Sequence, residues 1–279
     1  MMVRKIKFGL LALPVLAALI GATQTGSAQS RGRIEVISAA CNVGPAIQAF
    51  SRYLGPTKYT GAANWNGYQD ANWQAPKGYR HITWDGVGKE YVDRDYIPNN
   101  YFNTTAKQGL LYSTSGKGFR VSSDYYAYLN PSYGKQFKAW SPNYVFSSMY
   151  SHVSDYSFEV PGYANDRGWV HGFGAVFSDV DKANVTRMEF FDENNYSLGT
   201  WYAQPCDYGN SFLGVYFYEN YVTRVRVWLG DKPLDSYTND DSYNDVVVLD
   251  DLIYDEPWKY GYKGNAGQPY TPPADPPKY

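Results

Sequence analysis

The sequence predicts an all-β fold, a jelly-roll-like antiparallel β-sandwich with one short N-terminal helix. From about residue 110 onward, short segments alternate apolar and polar side chains with a period of two, which is typical of strands with one buried face. Clusters of Gly, Asn and Asp separate these segments and indicate tight turns. Many short strands joined by such turns are the pattern of a sandwich or a jelly roll.

The first 28 residues have the three parts of a secretory signal peptide. Basic residues at positions 4, 5 and 7 give a positively charged start, residues 8–20 form a short apolar run, and small residues precede the expected cleavage after Ala28. The apolar run is shorter than the roughly 20 residues that a membrane-spanning helix needs. We therefore expect a secreted protein, extracellular or periplasmic, whose mature chain begins at Gln29.

A short helix is predicted within residues 36–54. Apolar side chains, Phe50 and Leu54 among them, recur there at nearly helical spacing, and Gly55-Pro56 ends the pattern. The following residues 57–110 are rich in Gly, Asn, Trp and Tyr, and we expect long loops with occasional strands there.

The strand pattern is clearest at residues 222–229. Thr, Val and Leu occupy one face of that segment, and Arg and Trp occupy the other. Similar patterns bounded by turn residues predict further strands at residues 185–192, 197–202, 212–218 and 245–254. Gly and Pro then dominate, so a flexible tail over residues 259–279 is expected after a single sandwich domain of residues 29–258.

The charge of the chain excludes some partners. It carries 25 basic and 27 acidic residues, a net charge of −2. The signal peptide contains three basic residues and no acidic one, so its removal changes the net charge to −5. An acidic chain without a run of Lys and Arg is not expected to bind nucleic acid, whose phosphates attract clustered cations. No segment after the signal peptide predicts a membrane span.

The chain contains two cysteines, Cys41 and Cys206. An even number of cysteines in an exported protein predicts a disulfide bond between them, because free thiols are reactive outside the cell. Two separately buried thiols are the alternative.

Three segments together resemble a group of largely uncharacterised exported bacterial proteins, many of them similar to PEP-CTERM-type surface proteins. These segments are residues 80–87 (Arg-His-Ile-Thr-Trp-Asp-Gly-Val), residues 172–181 (Gly-Phe-Gly-Ala-Val-Phe-Ser-Asp-Val-Asp) and residues 245–257. The resemblance covers roughly residues 36–257 and implies a β-sandwich outside the cytoplasm, without implying an activity. The chain as printed lacks the hydrophobic sorting segment of that family, so anchoring by that route is not expected.

Common catalytic motifs are missing from the sequence. Its three histidines show no pair at metal-ligand spacing, and there is neither a phosphate-binding loop nor a Gly-x-Ser-x-Gly elbow. We therefore expect a non-catalytic protein. A catalytic triad built from distant residues stays open, because triads follow geometry and not sequence order.

Two acidic pairs predict a calcium site. Asp179 and Asp181 are two residues apart at the end of a strand pattern, so their side chains share one face. Asp250 and Asp251 interrupt an apolar run, where an uncompensated charge is costly to bury. Calcium binds six to eight oxygen ligands and would offset that cost, so we predict that these four aspartates bind calcium. Solvated aspartates are the alternative, and the pair at positions 240–241 is a weaker candidate.

The aromatic residues predict a ligand-binding surface. The chain has 29 Tyr, 8 Trp and 13 Phe, and residues 64–73 mix aromatic rings with Asn and Gln side chains. Rings can pack on the apolar faces of sugars while amides bind their hydroxyls, so Trp65, Tyr68, Trp73 and Trp84 are predicted to bind a glycan. Core packing and the strand propensity of Tyr are the alternative, and such a surface could also bind a protein.

These patterns together predict a secreted, non-catalytic binding protein, stabilised by calcium, whose partner is an extracellular glycan or surface protein. A self-assembling component of an extracellular surface or matrix is the first alternative. A polysaccharide-active enzyme that uses carboxylates is the second.

Overall fold

Two sheets of short strands form a β-sandwich in the computed structural model, which describes residues 32–61 and 78–259. The all-β prediction is confirmed. The strands of the described residues are β1 (Ile34–Ala40), β2 (Thr57–Lys58), β3 (Gly78–Ile82), β4 (Leu110–Thr114), β5 (Gly118–Ser122), β6 (Val145–Met149), β7 (Val153–Glu159), β8 (Arg167–Trp169), β9 (Gly172–Val180), β10 (Arg187–Phe191), β11 (Ser197–Tyr202), β12 (Cys206–Phe217), β13 (Arg224–Trp228), β14 (Val248–Asp255) and β15 (Trp258–Lys259).

The first sheet has the order β1-β12-β9-β14-β3-β2, and β6 joins it by pairing with β14 and β5. The second sheet has the order β11-β10-β13-β7-β8-β15, and β4 also pairs with β7. Strand pairs within the described residues are antiparallel, except that β2 runs parallel to β3. Neighbouring strands in each sheet are often distant in sequence, so the sheets bring remote segments to the same end of the sandwich.

The main core lies between the two sheets. Apolar residues that point inward from one sheet meet those of the other, as where Phe173 of β9 packs against Tyr156 and Phe158 of β7. The outward-facing residues of β7 and β13 alternate with these and remain partly exposed. This alternation is the period of two that the sequence shows.

A helix, α1 (Gly44–Leu54), covers part of the outer face of the first sheet. Its buried side chain Phe50 lies in the space left by Gly174 and Gly214, where a Cβ atom would come within 2.9 Å and 2.7 Å of the Phe50 ring. Because helix and core enclose β9 from both sides, every residue of that strand is buried. The helix was predicted within residues 36–54, but the first part of that range forms β1.

Two further helices of four residues each, α2 (Tyr101–Thr104) and α3 (Tyr133–Gln136), lie in the connections, together with a 3₁₀ turn (Lys89–Tyr91). The segment that carries α3 packs aromatic side chains on the remaining outer face of the first sheet. The outer face of the second sheet carries mostly polar side chains. The outer face of the first sheet is therefore largely covered, whereas the outer face of the second sheet is accessible to solvent.

Some predictions fall on residues outside the described ranges, namely the signal peptide of residues 1–28 and all but the first residue of the 259–279 tail. Lys259, the first residue of that predicted tail, belongs to β15 and pairs with β8. Across residues 32–61 and 78–259, no helix is long and apolar enough to span a bilayer.

Candidate metal centre

A disulfide bond joins Cys41 to Cys206, as predicted. Cys41 directly follows β1, and Cys206 begins β12. The pairing of β12 with β9 shifts between Cys206 and Asn210, so the residues between them leave the regular register. This irregular segment places exposed Asp207 beside the end of β9, next to the disulfide.

The end of β9 supplies two more carboxylates. Asp179 is fully buried and has a left-handed backbone conformation with φ of 68°. Its Oδ1 accepts a hydrogen bond of 2.6 Å from the backbone N–H of Tyr208. Asp179, Asp181 and Asp207 each offer a carboxylate oxygen, and these oxygens lie within 4.8 Å of one another. The first predicted acidic pair is therefore part of a three-carboxylate group.

A second group shares Asp181 and adds two buried aspartates from the connection between β13 and β14. Asp181, Asp240 and Asp245 also offer carboxylate oxygens that lie within 4.8 Å of one another. The Oδ1 atom of Asp240 accepts a hydrogen bond of 3.0 Å from the backbone N–H of Val246. The Asp245 carboxylate accepts longer backbone hydrogen bonds from Asp181 and Lys182, at 3.4 and 3.3 Å.

Burial and mutual repulsion make these carboxylates hard to ionise. Burial, together with the neighbouring carboxylates of Asp179 and Asp245, raises the pKa of Asp181 to about 7. Burial also raises the pKa of Asp240 to about 9 and that of Asp245 to about 6. The pKa of Asp179 is raised by the same cause. In the protein alone, negative charge at this centre is strongly disfavoured.

Several oxygens of the centre lack a hydrogen-bond donor. Asp179 Oδ2, Asp181 Oδ1 and Asp240 Oδ2 are all buried, and no N–H or hydroxyl donor of the described residues reaches them. The groups within hydrogen-bonding reach are other carboxyls, Asp240 for Asp179 and Asp207 for Asp181. Oε1 of Gln136 also receives no donor from the described residues, and its Nε2 donates to the backbone carbonyl of Asp240 at 3.1 Å. Buried oxygens are normally satisfied by a donor, water or a cation. An all-oxygen set without His or Cys suits a hard cation such as calcium.

The second predicted acidic pair lies in a different hydrogen-bond network. Asp250 Oδ2 accepts hydrogen bonds from the backbone N–H groups of Trp140 and Ser141. Asp251 accepts a hydrogen bond of 2.7 Å from the Ser141 hydroxyl and lies 2.5 Å from Nε2 of His81. Neither aspartate belongs to the two carboxylate groups found among the described residues. Contrary to expectation, the structure thus does not bring the two pairs into one set.

Hydrogen bonds explain how Asp250 and Asp251 are buried without a cation. Both side chains are fully buried. The pairing of β14 with β9 is irregular between Leu249 and Leu252, which places two successive aspartates at this point. Burial and the charge of Asp251 raise the pKa of Asp250 to about 9, so one proton can be held by the pair. The pair therefore anchors β14 to the segment that contains Ser141.

Trp84, predicted to bind a glycan, is a core residue. Its side chain is 1% exposed, its ring stacks on Phe146 with centroids 3.8 Å apart, and its Nε1 donates to the backbone carbonyl of Asp250. A ring enclosed on both sides cannot contact a glycan at the surface. The other predicted ligand residues, Trp65, Tyr68 and Trp73, lie outside the described residues.

Two members of the metal centre were not among the predicted ligands. Asp207 directly follows Cys206. The predicted disulfide therefore indicated that Asp207 is held close to the segment that contains Cys41. Asp245 lies just before the apolar run of β14, and Asp179 lies at the end of the apolar run of β9. Because these two strands are neighbours in the sheet, the two aspartates lie at the same end. Asp240, a weaker candidate in the sequence, is a full member of the centre.

No protein-family model matches the chain, and the comparisons with curated proteins and with solved structures find no similar protein. Function is therefore inferred from the side chains themselves.

Proposed function

We propose that this chain is an exported, non-catalytic binding protein whose sandwich is stabilised by calcium at the centre formed by Asp179, Asp181, Asp207, Asp240 and Asp245. The carrying observation is the set of buried carboxylate oxygens that face one another and receive no N–H or hydroxyl donor among the described residues. A bound dication would satisfy these oxygens and offset both the burial and the mutual repulsion that raise their pKa values.

Calcium is the cation that fits best. The five carboxylates are hard oxygen ligands, and calcium accepts irregular sets of six to eight oxygens. Magnesium requires nearly ideal octahedral geometry and retains water, which suits a buried and irregular centre less well. The two sets of three aspartates share Asp181. This arrangement is compatible with one ion that has many ligands or with two adjacent ions.

The ion would act as a structural link. Its ligands come from the end of β9, the irregular start of β12 and the connection from β13 to β14, which are far apart in sequence. The disulfide between Cys41 and Cys206 holds the same end of the sandwich. An ion that binds only the folded state stabilises it by about 2.7 kcal/mol at one hundred times its dissociation constant.

Thermal unfolding of the mature protein in EDTA and in increasing calcium tests this proposal. We expect the melting temperature to rise by several degrees, EDTA to reverse the rise, and metal analysis of untreated protein to find calcium. Asp181→Asn should abolish the rise because Asp181 belongs to both groups. Asp241→Asn is the matched control, since this exposed residue of the same connection loses the same charge. A melting curve that calcium leaves unmoved, with no metal found, would disprove the site.

A further inference from the structure

A polar cleft of about 340 Å³ lies on the accessible face of the second sheet, and none of the proposed metal ligands lines it. Its floor consists of outward-facing residues of β4 and β7, including Ser113 and Ser157. One wall is the turn that leads into α2, with Asn99 and Asn100, and the other is the turn before β8, with Asn165. Its volume is at the lower end of the range for small-molecule sites, which suits one sugar residue of a longer chain.

The walls of the cleft are held in place by a buried polar network. Asn103 of α2 is 1% exposed, its Nδ2 donates to Oε2 of Glu159 at 2.5 Å, and its Oδ1 accepts from the N–H of Gly162 at 2.9 Å. The other Glu159 oxygen accepts from the N–H of Asn165 at 3.1 Å. One buried amide thus connects both walls to the floor. A cleft fixed in this way loses little conformational freedom when a ligand binds.

Four polar side chains of the cleft are not used by the fold. The side chains of Asn99, Asn100, Ser113 and Ser157 form no hydrogen bond with other residues in the described ranges. Two amides and two hydroxyls therefore face the cleft with donors and acceptors available. Leu111 adds an apolar patch to the floor. Sugars combine hydroxyls with apolar C–H faces, and this lining matches both.

The charge of the side chains that line the cleft favours neutral sugars over anionic ones. Glu159 is the only acidic residue of the lining, and no Lys or Arg lines the cleft in the described part of the chain. An anionic sugar would meet the Glu159 carboxylate, whereas Arg167 opposite Glu159 and Arg224 opposite Ser157 lie outside the lining, which disfavours it. A neutral sugar has no such penalty.

We infer that this cleft binds a neutral glycan, with the amides and hydroxyls of its walls and floor contacting sugar hydroxyls. The inference rests on the proposed role as a binding protein, for which it names the ligand class, but not on calcium. Because a single sugar residue makes few contacts, its dissociation constant should be on the order of 1 mM. Longer neutral chains, which extend along the open sheet, should bind more tightly.

The mature protein, titrated with neutral gluco-, manno-, galacto- and xylo-oligosaccharides and with uronic-acid oligosaccharides, tests the inference. At least one neutral oligosaccharide should bind, and the uronic acids should bind at least tenfold more weakly. Ser157→Trp should fill the floor and weaken binding at least tenfold, because this side chain faces outward. The double variant Asn99→Ala/Asn100→Ala should also weaken binding, and it changes exposed side chains that support no other contact. Thr200→Trp, on the outward side of β11 in the same sheet, is the control and should bind as the unchanged protein does.

Binding should persist in EDTA at a temperature where the protein stays folded. Failure of every neutral oligosaccharide to bind, or equal binding by the Ser157→Trp and double variants, would overturn the glycan site. Neither result changes the calcium-induced melting shift, so the two proposals fail separately.

Discussion

Asp240→Asn provides a direct test of the electrostatics of the metal centre. Asp240 is 7% exposed, and burial together with the nearby Asp179 carboxylate raises its pKa from the ordinary 3.8 to about 9. In calcium-free folded protein the pair therefore holds a proton that the unfolded chain releases near pH 4. A group with a raised folded pKa stabilises the fold fully below its unfolded pKa, and this contribution is lost as the pH rises toward the folded pKa.

The size of the effect follows from the pH interval. Between pH 5 and pH 7, both below the folded pKa, one such group lowers the free energy of unfolding by about 1.4 kcal/mol per pH unit, or about 2.7 kcal/mol in total. For a domain of this size, that corresponds to a fall in melting temperature of about 5–10 °C. Asn resembles the protonated acid and keeps an oxygen for the N–H of Val246, so Asp240→Asn should lose this part of the pH dependence.

The assay is thermal unfolding from pH 5 to pH 7 in EDTA. Calcium-free Asp240→Asn should melt at a higher temperature than the unchanged protein at pH 7 and should respond less to added calcium, since a ligand is lost. Asp241→Asn should behave like the unchanged protein, because the hydrogen bonds that its exposed carboxylate makes with described residues all lie within its own turn. If the pH slopes of the unchanged protein and of Asp240→Asn coincide, the buried pair does not hold the proton inferred for it.

Three further results are expected. Replacing Cys41 and Cys206 by Ser removes a link between residues 165 positions apart and should lower the free energy of unfolding by about 5 kcal/mol, measured by denaturant titration; unchanged stability would contradict a stabilising disulfide. Trp84→Ala should cost about 3–5 kcal/mol by leaving a cavity beside Phe146, and where the variant remains folded its glycan binding should be unaltered, as titration would show. The intact mass of exported protein should correspond to a chain that begins at Gln29, and recovery of the full-length chain in membranes would exclude the signal peptide.

The strands were predictable because a half-buried strand must alternate its side chains. β13 (Arg224–Trp228) lies within the segment with the clearest alternation, and its Val225 and Val227 are buried in the core. The helix α1 (Gly44–Leu54) lies within the predicted range and ends before Gly55 as predicted, but the sequence did not show that the start of that range is a strand. Residues 36–40 carry the same apolar side chains that a helix could bury, but pairing with β12 makes them a strand, and this partner is more than 170 residues away. Local pattern cannot show which long-range pairing prevails.

The metal centre was predictable only in part. Asp179 and Asp181 were found because two residues that alternate by two share a face, which is a local rule. Asp250 and Asp251 were grouped with them because a buried charge needs compensation, yet that compensation comes from backbone N–H groups, Ser141 and His81. A sequence indicates that a buried carboxylate needs a hydrogen-bond donor or a cation, but it does not show which group provides it.

The sequence by itself determined the alternation that makes strands, the turns that separate them and the pairing of its two cysteines. It also contained the excess of aspartates around strand ends. Tertiary structure decided which carboxylates meet, because the antiparallel order β12-β9-β14 brings Asp207, Asp179 and Asp245 to one end of the sandwich. It also decided that Trp84 is core and that a polar cleft opens on the second sheet. These outcomes depend on which remote segments pack together, and the hydrophobic driving force that selects them acts on the whole chain at once.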